Sequence, residues 1–165
     1  MRKLDVSANR GLGERGWAAV KRLVPKGLEE LSAEACELTD EFMEDLEAAA
    51  APDQLRKLDV SFNGGLGERG WAAVGRLVPK GLEELSASRC DLTIEIMEAL
   101  EATAAPGQLR KLDVSANRGL GERGWAAVGR LVPKGLEELS AEACELTDEI
   151  MEALGAAAAP GQLRK

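Results

Sequence analysis

Leu4-Asp5-Val6-Ser7 returns as Leu58-Asp59-Val60-Ser61 and again as Leu112-Asp113-Val114-Ser115, so the chain repeats itself. Three units, 1–54, 55–108 and 109–162, fill all but the last three of the 165 residues, and Leu163-Arg164-Lys165 begin a fourth as a strand stub. All but thirteen of the 54 columns are identical in the three units, loop columns included. Drift scatters loop positions first, so the array reads as recently multiplied, excerpted or engineered. Self-similarity of this kind confines the chain to architectures in which each unit buries its apolar face against the next.

Each unit divides again. LRKLDVSFNGGL from Leu55 and LEELSASRCDL from Leu82 start half a unit apart, with an Asn or a Cys at the same offset, so six repeats of 27 follow. The pattern L-x-x-L-x-V-x-x-N alternating with L-x-x-L-x-A-x-x-C resembles the leucine-rich repeat, in its ribonuclease-inhibitor-like class. The resemblance spans residues 1–165 as one domain. It implies an α/β solenoid, a horseshoe arc with parallel strands on the concave face and helices on the convex face.

The residues support that architecture on their own. Leu58 and Val60 fall on one side of a short strand and Lys57, Asp59 and Ser61 on the other, by the period of two. Trp71, Val74, Leu77 and Val78 recur at helical spacing after Gly67 and stop at Pro79. In the second half-unit Thr93 is an N-cap and Glu95 suits the positive helix end. Ile96, Met97, Leu100 and Thr103 form the expected buried stripe before Pro106. Parallel strands need crossovers, and helices supply them. Charge agrees: Arg2, Glu29, Arg56, Glu83, Arg110, Glu137 and Arg164 alternate in sign, as do Lys3, Glu30, Lys57, Glu84, Lys111, Glu138 and Lys165. Strands in lateral register would therefore meet opposite charges throughout.

Asn9, Cys36, Asn63, Cys90, Asn117 and Cys144 fall where the chain leaves each strand, and are expected to form a structural turn ladder. Three cysteines, one to each unit, suit neither a disulfide framework nor a metal cluster. The sequence has no His, which removes the usual general base and the commonest zinc ligand. No catalytic, cofactor-binding or metal site is expected, and an enzyme is disfavoured. The run Gly11-Leu12-Gly13-Glu14-Arg15-Gly16 matches G-x-G-x-x-G and returns at Gly65 and Gly119, but without a Rossmann context, so its glycines are read as turn and packing residues.

Lys and Arg number 21 against 29 Asp and Glu, a net charge of −8. That balance disfavours nucleic acid and anionic membrane as partners. The opening MRKLDVSANRGLG lacks an apolar core, so no signal peptide is expected and the chain reads as cytoplasmic, with reduced thiols.

The informative columns are those where the units disagree. One row reads Ala8, Ala35, Phe62, Arg89, Ala116, Ala143; Ser88 stands where Glu34 and Glu142 do, and Ile94 where Asp40 and Asp148 do. Phe62, Ser88, Arg89 and Ile94 are the candidate contact surface, for a partner or a second copy. The column shares the parity of Leu58 and Val60, so it faces outward only if the strand has ended. Gly75 and Gly129 occupy helix interiors at a cost of about 1 kcal/mol each. The terminal repeats lack polar caps, which favours end-to-end association. Two functions follow: a non-enzymatic scaffold prone to homo-oligomerise through its ends, or a module that binds a protein through its concave face and central patch.

Overall fold

The computed structural model describes residues 1–104 and 107–157. The strand stub expected at 163–165 lies outside them, as does the stop expected at Pro106. Six three-residue strands alternate with six helices: β1 (Lys3–Asp5), α1 (Glu14–Leu23), β2 (Glu30–Ser32), α2 (Asp40–Ala49), β3 (Lys57–Asp59), α3 (Glu68–Leu77), β4 (Glu84–Ser86), α4 (Ile94–Thr103), β5 (Lys111–Asp113), α5 (Gly121–Leu131), β6 (Glu138–Ser140) and α6 (Asp148–Ala157). The strands form one parallel sheet in chain order, and each pairing advances by half a unit: Leu4 faces Leu31, which faces Leu58, and so on to Leu139.

The core lies between sheet and helices. Each central strand leucine points inward, as Leu31, Leu58, Leu85 and Leu112 do. They meet Trp71, Val74 and Leu77 of α3, Met97 and Leu100 of α4, and their equivalents. The period-two reading overran the strand by two residues. β3 ends at Asp59, and Ser61, expected on the solvent side, is buried. Asp59 Oδ1 accepts a hydrogen bond from Ser61 N at 2.9 Å, while Val60 N and Phe62 N still donate laterally to the carbonyls of Ser86 and Ser88, so the repeats stay paired past the regular strand with Ser61 buried.

The even helices α2, α4 and α6 start at a threonine whose hydroxyl accepts from the third residue on: Thr39 from Phe42 N, Thr93 from Ile96 N, Thr147 from Ile150 N. The expected stripe of α4 needs one correction, because Thr103 is exposed while Ala104 is buried. Thr103 donates instead to the carbonyls of Ala99 and Leu100, turning its hydroxyl back on its own helix.

The odd helices begin differently. Gly67 caps α3 with no side chain of its own, and its N–H is taken at 2.8 Å by Asp40 Oδ1, the first residue of the preceding helix. A Cβ at Gly70 would lie 2.5 Å from that same Asp40 oxygen and 3.0 Å from Leu66 Cδ2, so the third glycine of the motif is required by packing. Ile94 replaces this cap before α5. There Gly121 turns to a φ of +60° and the helix gains a residue at its start, whereas Gly13 and Gly67 remain extended at −94° and −96°.

Candidate recognition surface

Two rows of side chains cover the strand face of the sheet. In the first, Lys3, Glu30, Lys57, Glu84, Lys111 and Glu138 form a continuous ion ladder with separations of 3.3, 3.7, 3.3, 3.3 and 3.5 Å. Hydrogen bonding to Glu84, with the charges of Glu84 and Glu30 on either side, holds the Lys57 ammonium above its usual range. The second row is Asp5, Ser32, Asp59, Ser86, Asp113 and Ser140. Its aspartates are occupied locally: Asp5, Asp59 and Asp113 each accept from the serine two residues on at 2.9 Å. Their uniformity across the units therefore accompanies one shared turn geometry. An open depression of about 400 Å³ runs along this face over β1 to β4.

The arginine row shows two pairs among the described residues. Arg2 meets Glu29 at 2.8 Å and Arg110 meets Glu137 at 2.7 Å. The Arg2 hydrogen bond holds the Glu29 carboxyl below its usual range.

Beyond the strands comes the ladder of Asn and Cys. Asn63 is buried and fully used: its Oδ1 accepts from Cys36 N and Leu38 N, and its Nδ2 donates to the carbonyls of Ala33, Val60 and Ser61. Asn117 repeats the set against Cys90, Leu92, Ala87, Val114 and Ser115. The thiols answer in alternate repeats, Cys36 Sγ donating to Val6 O, Cys90 to Val60 O and Cys144 to Val114 O at 3.1–3.2 Å. All three cysteines are free and buried, and burial pushes the Cys90 thiol up to about 11. A thiol so held is a poor nucleophile. Asn9, at the first repeat, is exposed and bonds only its own loop, at Val6 O and Ser7 O.

The disputed column resolves at this point. Ala8, Ala35, Phe62, Arg89, Ala116 and Ala143 all have left-handed backbone, with φ between +51° and +64°. The reversal swings their side chains off the core side that strand parity assigns them. Phe62 is 44% exposed, and the Arg89 guanidinium lies over its ring, 5.3 Å from the centroid. Ser88 is half-buried beneath the pair. Its carbonyl accepts from Phe62 N and its N–H donates to Ser61 Oγ. Ile94 stands apart, half-buried on the first turn of α4, with Cδ1 3.9 Å from where a Cβ would lie on Gly121. It belongs to the seam between α4 and α5.

Two features escaped the sequence. The Asp40 cap on Gly67 joins neighbouring repeats, far beyond the few positions over which a capping pattern is read. Trp17 rests on Phe42 with ring centroids 4.5 Å apart, a pairing that only the first unit can make because Ile96 and Ile150 replace the phenylalanine.

No protein-family profile and no curated protein sequence matches the chain. Solved structures do. The tropomodulin C-terminal domain of Caenorhabditis elegans superposes with a TM-score of 0.70 at 12% identity, covering 86% of this chain and 90% of that one. Rad7, in its yeast complex with Elc1, gives 0.73 at 20% identity, covering 99% of this chain and 39% of that one. The fold is a leucine-rich-repeat solenoid. A third match, in the complex of TLR13 with ssRNA13, has a TM-score of 0.53 at 18% identity, covering 87% of this chain and 22% of that chain. At these identities the likeness concerns fold alone.

Proposed function

We propose that this solenoid is a non-enzymatic protein-binding scaffold, one domain of three repeated units. Its contact surface runs from the strand face to Phe62 and Arg89, and its ends also join copies of the chain. The observation that carries the reading is the Phe62–Arg89 stack. In a row of six left-handed positions, two adjacent ones exchange alanine for large side chains, and these meet over half-buried Ser88. Bulky residues are disfavoured at positive φ, so the exchange has a local cost and no return in core packing. An aromatic ring beside a guanidinium is the chemistry of interface anchors.

The solved neighbours support the protein-binding part, since Rad7 was crystallised with Elc1. The structure of TLR13 with ssRNA13 raises the alternative of RNA, which the net charge of −8 opposes. Buried thiols aimed at carbonyls leave the cysteines in structural roles.

Phe62→Ala and Arg89→Ala test the surface without disturbing the fold, because alanine already occupies four of the six equivalent positions. Partners captured by the wild-type chain and identified by quantitative mass spectrometry should include a set depleted about tenfold in the double variant, the loss of one hot-spot contact. Equal capture by both proteins removes the patch from the interface. Saturable binding of labelled single-stranded RNA at physiological salt would replace the protein reading with a nucleic-acid one.

A further inference from the structure

We propose that Asn63-Gly64 is a site of self-modification held shut by the fold. Once the seam between the β2 and β3 repeats opens, the Asn63 side-chain amide converts to an acid, and the converted chain does not rebuild that seam. The reaction needs no partner, and water is its only co-reactant.

Of the three asparagines, Asn9 and Asn117 precede Arg10 and Arg118, and Asn63 alone precedes a glycine. Glycine has no Cβ, so its backbone nitrogen is unshielded and the main chain turns freely to bring it against the preceding side chain. In an opened chain Gly64 N attacks Asn63 Cγ and gives up its proton to water. The N–Cγ bond closes a five-membered imide, while the Cγ–Nδ2 bond breaks and Nδ2 takes up a proton and leaves as ammonia. Water then opens the imide. Attack at the side-chain carbonyl leaves aspartate at position 63, and attack at the main-chain carbonyl leaves isoaspartate. The balance is amide plus water to acid plus ammonia, with no change of oxidation state.

The fold opposes each step. Asn63 is 2% exposed, so water is excluded. Its Oδ1 accepts from Cys36 N and Leu38 N, and its Nδ2 donates to the carbonyls of Ala33, Val60 and Ser61, which aims the amide along the seam. The peptide that must swing is also tied, since Asn63 O accepts from Leu66 N at 3.4 Å. Three of the five side-chain bonds reach the preceding repeat, so Cγ comes within reach of Gly64 N only when the two repeats part. Asn117 is buried with the same set of bonds and is followed by arginine, which makes it a control inside the same molecule.

An acid cannot return to this place. A carboxylate accepts but does not donate, so the carbonyls of Ala33, Val60 and Ser61 would face its lone pairs, and its charge would be buried. Isoaspartate also lengthens the main chain by a methylene.

The test follows positions 63 and 117 by peptide mapping and mass spectrometry while the full-length chain stands in mildly alkaline buffer, with and without denaturant. In denaturant position 63 should convert several-fold faster than position 117, and Gly64→Arg should abolish the difference. That comparison is made on unfolded chains, so it does not require the variant to fold. Without denaturant, conversion at position 63 should slow by about tenfold or more, the protection given by an opening free energy of about 1.4 kcal/mol. Converted chains returned to native buffer should unfold at a lower denaturant midpoint than unconverted ones. Equal rates at the two positions in denaturant overturn the site. Equal rates at position 63 with and without denaturant overturn its closure by the fold, and an unchanged midpoint overturns its one-way character.

Discussion

Cys90 shows how a residue that invites a chemical reading is placed in a structural one. Its sulfur faces carbonyls of its own and the neighbouring repeat, and desolvation raises the thiol from 9.0 to about 11. A thiol reagent at mildly alkaline pH should therefore label Cys90 only at the rate of global opening, and immediately in denaturant. The linkage has a definite sign. A thiol whose folded value lies above its unfolded one stabilises the fold fully below about pH 9. That contribution is lost as pH rises toward about 11, so denaturant midpoints should fall across that window. The interior glycines differ from one another at the same scale. A Cβ on Gly75 would lie 3.0 Å from Thr103 Oγ1, whereas on Gly129 its nearest neighbour is Leu154 Cδ2 at an ordinary 3.8 Å. Gly129→Ala should stabilise the protein by about 0.5–1 kcal/mol and Gly75→Ala by less, measured by chemical denaturation. Sequence alone assigned the two glycines one cost, because the neighbour that separates them belongs to another helix.

Among the elements, the odd helices differ in how they start. α3 takes its cap from Asp40, whereas at α5 Ile94 stands in place of the equivalent carboxylate and Gly121 has a positive φ. Ile94→Asp should return Gly121 to extended backbone, shorten α5 to the length of α3 and raise stability by about 1 kcal/mol, the usual worth of an N-cap. A crystal structure and a denaturation curve of the variant check both parts. Strand spacing, helix stripes and the ion ladder were legible in the chain because the repeat prints each signal several times over. The strand ends were not. Val60 and Ser61 continue the alternation in composition, and nothing in it announces the hydrogen bond from Ser61 N to Asp59 Oδ1 where the regular strand ends. The left-handed row after it was equally hidden, since alanine carries no preference for positive φ and four of its six members are alanine.

At the scale of the whole molecule, stability in a stacked array is the sum of each repeat and its seams. The first repeat is less buried than the internal ones. Val6, Leu12 and Trp17 are half-buried where their internal counterparts are buried, and Asn9 makes none of the inter-repeat bonds of Asn63. Hydrogen exchange should therefore be fastest in β1 and α1 and slowest in β3 to α4, with protection rising stepwise by repeat. Uniform protection would mean that the array opens only as a unit. Disagreement between units singled out Phe62, Arg89 and Ile94 in the sequence, but not their arrangement: the fold sets Phe62 and Arg89 side by side and places Ile94 apart, near Gly121.

The single parallel sheet has an electrical consequence. Every strand runs the same way and every helix carries the chain back, so the six helices point in one direction and their peptide dipoles add. One long edge of the arc gathers the positive helix starts, and the other gathers the negative helix ends. The side chains run against this field, with Glu14, Asp40, Glu68, Glu95, Glu122 and Asp148 at the starts and Lys21, Arg22, Arg76 and Arg130 near the ends of the odd helices. These first-turn acids and last-turn bases each suit the helix end beside them. The summed dipoles thus give the molecule a polarity along its strands, with the strand face lying between the two poles.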